Sequence, residues 1–209
     1  MISTKNYDLL ADRKSLQSLC KAASVLDAIF CQQWEYRYHS YNASWGEGEE
    51  FCEMRNGEGD QVLFLFTDEG CVINGFAHTV DQQDKVKLIN GLPVIFNEFI
   101  FGEPIASIGT TFCLWSTGLN GWKIGETDGT EDNSGELLSL FDGNPKSYAD
   151  WATGYFDTVK DGTIPLETVA ALYRGEVLTK EMVLSLVNDL EDWDLLVSDL
   201  EEINYPFEF

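Results

Sequence analysis

The sequence predicts an α+β protein with a central antiparallel sheet of five or six strands, an N-terminal helix and four short C-terminal helices packed on the sheet. Three observations support this prediction. An amphipathic stripe comes first, strand-like runs separated by turn residues follow it, and helical patterns take over after residue 143. With 209 residues, 44% of them hydrophobic, the chain can enclose a substantial core.

The N-terminal helix is predicted over residues 15–31, where apolar side chains recur every three or four positions. Residues 34–41 then alternate aromatic with polar side chains, as a half-buried strand does. Three further runs of strand-forming residues follow, separated by turns rich in Asn, Asp and Gly. The middle run is apolar on both faces, which predicts a central strand covered by helices. These runs cover residues 50–55, 61–66 and 71–78.

The second half of the chain supplies a hairpin and most of the helices. Pro93 is expected to open a short helix over 93–101, and a turn at Gly118-Leu119-Asn120-Gly121 joins two more strands. Gly and polar residues dominate 125–135, which predicts an exposed loop. The later helices begin at prolines or capping residues. The strands are predicted at 110–116 and 122–125, and the helices at 145–156, 165–173, 179–190 and 192–203.

We expect a single α+β domain over residues 1–209. Four short helices with single apolar stripes would bury little surface among themselves, so they should pack on the sheet. The alternative is a small helical lobe over 136–209, joined through the loop at 126–135.

The charge of the chain restricts its partners. Acidic side chains number 36 against 13 basic ones, a formal charge of -23, while 13 Phe, eight Tyr and six Trp exclude a disordered acidic tail. Such a field repels nucleic acid and attracts basic proteins, so we expect a basic protein partner and no nucleic acid. General adaptation to high salt is an alternative reading of the same charge.

Targeting signals and cofactor motifs are not found in the sequence. No apolar run resembles a signal peptide or a membrane span, so we expect a cytoplasmic protein that makes no membrane contact. The five cysteines are odd in number and contain no C-x-x-C pair, which predicts free thiols rather than disulfides or a zinc site. We expect no cofactor, no metal and no catalytic residue, and the oligomeric state stays open.

The two histidines, His39 and His78, define the rival function. With nearby carboxylates, either could serve a small carboxylate- or metal-dependent hydrolase, since paired acids of unequal pKa perform acid–base chemistry. No local motif supports a Cys–His pair. The segment Asp128-Gly129-Thr130-Glu131-Asp132-Asn133 offers oxygens for calcium, but Asn133 and Ser139 stand where the loop template needs Gly and Glu, so a solvated loop is expected.

A row of aromatic residues, Trp34, Tyr36, Tyr38, Tyr41 and Trp45, has two interpretations. The rings either pack between the sheet and the first helix, or they anchor a protein partner with carboxylates at the rim. The acidic segment 189–196 near the C-terminus also combines negative charge with a row of apolar side chains. The candidate partner-binding residues are Trp45, Glu47, Glu49, Glu50, Glu53, Glu58, Asp60, Asp192, Trp193 and Asp194.

Four segments are distinctive in combination: Trp34-x-Tyr36-Arg37-Tyr38-x-Ser40-Tyr41-Asn42, Met54-Arg55-Asn56-Gly57-x-Gly59-Asp60, Gly75-Phe76-Ala77-His78 and Leu140-Phe141-Asp142-Gly143-Asn144-Pro145-x-x-Tyr148-x-x-Trp151. Over most of its length the chain thereby resembles a family of bacterial cytosolic proteins, and this resemblance implies no activity. In size, charge and element order the chain is similar in type to immunity proteins that neutralise bacterial toxins, including the superfamily named after yeast cell-wall regulator proteins. That similarity implies a protein-binding role and transfers no residues.

Overall fold

Six strands form one antiparallel sheet in chain order, so that each strand hydrogen-bonds to the next along the sequence. The computed structural model describes residues 1–81, 83–118, 121–127 and 129–209. The α+β class predicted from the sequence is confirmed. The strands are β1 (His39–Gly46), β2 (Glu49–Arg55), β3 (Gln61–Thr67), β4 (Gly70–Phe76), β5 (Phe112–Thr117) and β6 (Lys123–Ile124).

Strand β3 lies inside the sheet and is buried on both faces, as its apolar run predicts. Phe64 and Phe66 join the main core on the first face, whereas Leu63 and Leu65 join a second, smaller core on the opposite face. Since successive strand side chains alternate between faces, a strand that is apolar at every position needs cover on both sides.

Helices provide that cover. The main core joins α1 to the sheet and to the C-terminal helices, and Asp12 begins α1 by accepting the backbone N–H groups of Lys14 and Ser15. None of the helices in the described part of the chain is long and apolar enough to cross a membrane. The helices are α1 (Arg13–Phe30), α2 (Lys85–Leu88), α3 (Asn97–Phe101), α4 (Ile105–Ile108), α5 (Ser134–Leu137), α6 (Pro145–Tyr155), α7 (Leu166–Tyr173), α8 (Lys180–Leu186) and α9 (Trp193–Ile203).

The shorter elements complete the chain. A parallel pair of two-residue strands, β7 (Leu178–Thr179) and β8 (Phe207–Glu208), connects the start of α8 to the end of the chain. Single 3₁₀ turns lie between the longer elements. They occupy Tyr7–Leu9, Trp34–Tyr36, Val94–Phe96, Ser139–Phe141 and Lys160–Gly162.

The second face of the sheet is covered unevenly. The segment 85–108, which contains α2, α3 and α4 and which we call the cover, packs Phe96, Phe99, Ile100 and Ile105 on this face. The register places Ser40, Asn42, Phe51 and Glu53 of β1 and β2 on the same face, because Tyr41 and Cys52 point to the main core. We call this β1–β2 part of the second face the outer section.

The predicted strand at 34–41 is wrong in its first half. Trp34–Tyr36 forms a 3₁₀ turn, and strand pairing begins only at His39. Arg37 is buried while Trp34 and Tyr36 are exposed, the inverse of the alternation that predicted a strand. The ion pair between Arg37 and Asp199 accounts for this difference, because it holds the Arg37 side chain in the protein interior.

Two other predicted boundaries are corrected. The loop predicted to be exposed up to residue 135 turns inward at its end, where Asp132 accepts hydrogen bonds from Thr4 and Ser134 and α5 begins. Helix α8 ends at Leu186 rather than near residue 190, because the chain becomes extended at Val187, which bridges to Val159. Predictions for Leu119, Asn120 and Asp128 lie outside the described residues.

Candidate functional site: an aromatic groove on the outer strands

A groove of about 280 Å³ lies on the outer section of the sheet. Residues of β1 and β2 line it together with Trp34, with Pro104 of the cover and with Glu202 of α9. This volume is slightly below the range of roughly 300–1,000 Å³ that accommodates drug-sized ligands. The groove therefore suits a single side chain or a small fragment better than a large ligand.

Two indole rings are exposed beside this groove. Trp34 is 50% exposed and Trp45 is 46% exposed. Trp45 stacks on Phe51 with ring centroids 4.4 Å apart, so one of its faces is packed. The pairing of β1 with β2 shifts between Asn42 and Gly46, and Ser44 donates its backbone N–H to the Asn42 side chain there. Trp45 lies within this irregular part of β1.

A guanidinium group lies on the other indole. The Arg55 guanidinium carbon is 4.0 Å from the centre of the Trp34 ring. Its Nη2 donates to the carbonyl of Trp34, and its Nε donates to the carbonyl of Arg37 at 3.3 Å. Arg55 is thus held against Trp34 by both stacking and hydrogen bonds, a geometry that favours arginine over lysine.

The carboxylate of Glu53 faces the groove with few partners. Its side chain is 15% exposed, and its one charged neighbour among the described residues is Arg55, with Nη1 3.8 Å from Oε2. That separation is too long for a hydrogen bond, and the described residues supply no hydrogen bond to Glu53. Burial raises the pKa of Glu53, and the charge of Arg55 opposes this shift. Glu53 is therefore a partly desolvated anion with unused acceptor capacity.

Helix α9 brings a second carboxylate to the groove. Arg37, only 4% exposed, donates to both oxygens of Asp199, at 2.9 and 2.6 Å, and so ties α9 to the residues before β1. One turn further along α9, Glu202 accepts a hydrogen bond of 2.9 Å from the Asn42 side chain. Asn42 is neutral, so this bond positions the Glu202 charge without cancelling it.

The predicted partner-binding residues separate into several groups. Trp45, Glu47, Glu49 and Glu53 lie on the β1–β2 hairpin, and Trp45 and Glu53 line the groove. Glu50 is also on β2, but its side chain is on the opposite face of the sheet: its Oε2 is 2.7 Å from Lys21 Nζ and accepts a hydrogen bond from the Tyr41 hydroxyl. Its charge is therefore locally compensated.

The other predicted residues lie away from the groove. Glu58 and Asp60 are in the turn at the far end of β2, where Asp60 is buried and Glu58 is exposed. At the start of α9, Asp192 caps the helix and Asp194 is exposed, while Trp193 packs edge-on against Phe209. Of the ten predicted residues, Trp45 and Glu53 are the two that line the groove.

The two histidines each have a carboxylate partner. His39 is buried, and its ring Nδ1 lies 3.1 Å from Asp27, which also accepts a hydrogen bond from the Tyr148 hydroxyl. The half-exposed ring of His78 has Nδ1 2.8 Å from Asp60. No group of three His, Cys, Asp or Glu residues in the described ranges is placed to hold a metal ion. The hydrolase alternative stays a prediction.

The aromatic row divides between both of its interpretations. Tyr41 is buried and contacts Gln17 of α1, as the packing interpretation requires, whereas Trp34 and Trp45 are exposed at the groove. Tyr38 packs on Trp151 of α6 and not on the first helix. Sequence reasoning missed the roles of Arg55, Glu202 and Pro104. Only the position of Arg55, two residues after Glu53 and hence on the same strand face, could have indicated its place.

Comparisons of this chain with protein-family models, with curated proteins and with solved structures find no match. The resemblances to a bacterial cytosolic family and to immunity proteins therefore stay predictions. The groove has to be interpreted from its own chemistry.

Proposed function

We propose that the chain is a bacterial cytoplasmic protein-binding module that captures a basic protein, in the manner of an immunity or inhibitor protein that neutralises a toxin. One observation carries the proposal: two half-exposed indoles flank a groove that also contains the partly desolvated carboxylate of Glu53. Aromatic anchors beside a desolvated charge are typical of the centre of a protein interface. Nucleic acid is not the proposed partner, because the chain carries a charge of -23.

The charges around the groove favour a cationic partner. The carboxylates of Glu53 and Glu202 line it, and Glu47 is exposed on the adjacent hairpin, against the single basic group of Arg55. Two nearby acids are excluded from this count, because Glu50 pairs with a lysine and Asp199 with an arginine. The groove is therefore a locally acidic part of an acidic protein.

Charge and aromatic contact have different consequences for binding. The field of the whole protein accelerates encounter, to about 10⁸ M⁻¹s⁻¹ or more at low salt, and salt screens it. Contact with Trp45 and desolvation of the charges then slow dissociation. The proposal thus predicts an affinity that depends both on salt and on the groove side chains.

The test is capture from native cell lysate at low salt, followed by binding measurements on the purified captured protein. The groove variant combines Trp45→Ala with Glu53→Gln. The matched control combines Leu195→Ala with Glu69→Gln, which also removes one exposed apolar side chain and one acid. We expect the groove variant to bind at least about 30-fold more weakly, the effect of losing one hot spot of roughly 2 kcal/mol, and the control to bind like wild type.

Salt provides the second criterion. The affinity of the captured protein should fall steeply between about 0.05 and 0.5 M salt, because screening shortens the range of the acidic field. Three results would overturn the proposal: capture of no basic protein, an affinity that salt leaves unchanged, or equal loss of affinity in the groove and control variants.

A further inference from the structure

The groove already shows how one guanidinium group is held. The Arg55 guanidinium carbon lies over the Trp34 ring, 4.0 Å from its centre, while Nη1 of Arg55 is 3.8 Å from the carboxylate of Glu53. One arginine thus contacts an indole face and lies near an acid at the same place. Trp is the best aromatic partner for a cation in proteins, and arginine forms such pairs more often than lysine.

Trp45 lacks such a cation. Phe51 packs on one face of its ring, and among the described residues no lysine or arginine lies over the ring. Trp45 is nevertheless 46% exposed and lines the same groove as Glu53. The groove therefore holds a second indole, together with a carboxylate that accepts no hydrogen bond from the described residues.

We propose that the groove binds the guanidinium group of one arginine side chain of the partner protein, stacked on Trp45 and hydrogen-bonded to Glu53. The inference rests on the proposed function for the source of that arginine. It goes further by naming the recognised group and by making Glu53 the residue that determines specificity for it.

The groove suits a cationic side chain, and two properties of the guanidinium group favour arginine over lysine. A guanidinium is planar and weakly hydrated, so it can stack on an indole and leave water at low cost. It can also donate two parallel hydrogen bonds to one carboxylate, whereas a lysine ammonium approaches as a point charge. A volume of about 280 Å³ is small enough to be filled by one side chain. Glu202 supplies a second negative charge at the groove.

The experiment uses Nα-acetyl-arginine amide as the probe, titrated into the full-length isotope-labelled protein. The indole N–H signal of Trp45, assigned with a Trp45→Phe variant, reports occupation of the groove. The lysine amide and the uncharged citrulline amide are the comparison probes. We expect saturable shifts of the Trp45 signal with the arginine probe, weaker binding of the lysine probe and none of the citrulline probe.

The variant Glu53→Gln should bind the arginine probe roughly tenfold more weakly, since charge-assisted hydrogen bonds are lost. Glu69→Gln is the matched control, because Glu69 is an exposed acid in the turn between β3 and β4 and does not line the groove. A cooperative thermal unfolding transition at or above the wild-type temperature shows that each variant is folded. Equal binding of arginine and lysine probes, no shift of the Trp45 signal, or wild-type binding by Glu53→Gln would overturn the inference.

The outcomes separate this inference from the proposed function. Binding of the probe without capture of any basic protein would refute the proposed function alone. Capture that is lost in the groove variant but accompanied by no binding of the arginine probe would refute this inference alone.

Discussion

Removal of the Tyr148 hydroxyl tests the buried network that fixes the start of β1. Asp27 of α1 is buried and accepts three hydrogen bonds: from the backbone N–H of His39 at 2.6 Å, from the His39 ring and from the Tyr148 hydroxyl. The network joins α1, β1 and α6 directly behind the outer section of the sheet. The variant Tyr148→Phe deletes one of the three donors and leaves the ring in place.

The expected decrease in the free energy of unfolding of Tyr148→Phe follows from the charge and burial of the Asp27 carboxylate. A hydrogen bond to a charged group contributes about 1.5–3 kcal/mol, and Asp27 cannot recruit water in exchange because it is fully buried. No cavity adds to the loss, since Phe lacks only the oxygen atom. For a domain of this size, the loss corresponds to a fall in Tm of roughly 3–12 °C.

Urea denaturation of the wild type and of Tyr148→Phe measures this loss as a lower midpoint with an unchanged m value. The matched control is Tyr36→Phe, because Tyr36 is 69% exposed, and it should stay within about 0.5 kcal/mol of the wild type. If both variants have the stability of the wild type, the Asp27 carboxylate does not depend on the hydroxyl and the reasoning is refuted.

Three further predictions concern Arg37, Glu53 and the thiols. In urea denaturation, the free energy of unfolding of the variant Asp199→Ala should be about 3–5 kcal/mol lower than that of the wild type, because the buried charge of Arg37 loses its carboxylate partner. A decrease of less than about 1 kcal/mol would contradict this prediction. Burial raises the pKa of Glu53, so ionisation of this side chain above pH 4.5 opposes folding. The variant Glu53→Gln should therefore be more stable than the wild type at pH 7, and the two proteins should be equally stable below pH 4.5. A variant that is less stable than the wild type at pH 7 would contradict this prediction. A thiol reagent should label only Cys31 in the folded protein, and slowly because burial raises its pKa; rapid labelling of a second thiol would contradict the four buried cysteines.

The spacing of apolar residues along the sequence correctly predicted those strands and helices whose buried side chains follow a regular local pattern. The run of apolar residues in β3 predicted a central strand with two covered faces, and Asp12 and Asp192 cap the helices whose apolar stripes were visible in the sequence. In these elements propensity, capping and burial agree, so the pattern alone was sufficient.

The groove could not be predicted, because it depends on long-range contacts. Trp34 is exposed since Arg37 is drawn inward by Asp199, a residue 162 positions away. Pro104 and Glu202 reach the groove from elements that are distant in the sequence. Trp45 and Glu53 were identified because aromatic and acidic residues concentrate between residues 45 and 60, but that same density also pointed to Glu50 and Asp60, which have partners elsewhere.

The location of the partner on the surface tests the central claim most directly. Amide chemical shifts of the labelled protein should be mapped while the purified captured partner is added at about 0.15 M salt. We expect the largest changes in β1 and β2 and at the indoles of Trp34 and Trp45. Changes that centre on the start of α9, or that spread evenly over the acidic surface, would contradict the proposed docking groove.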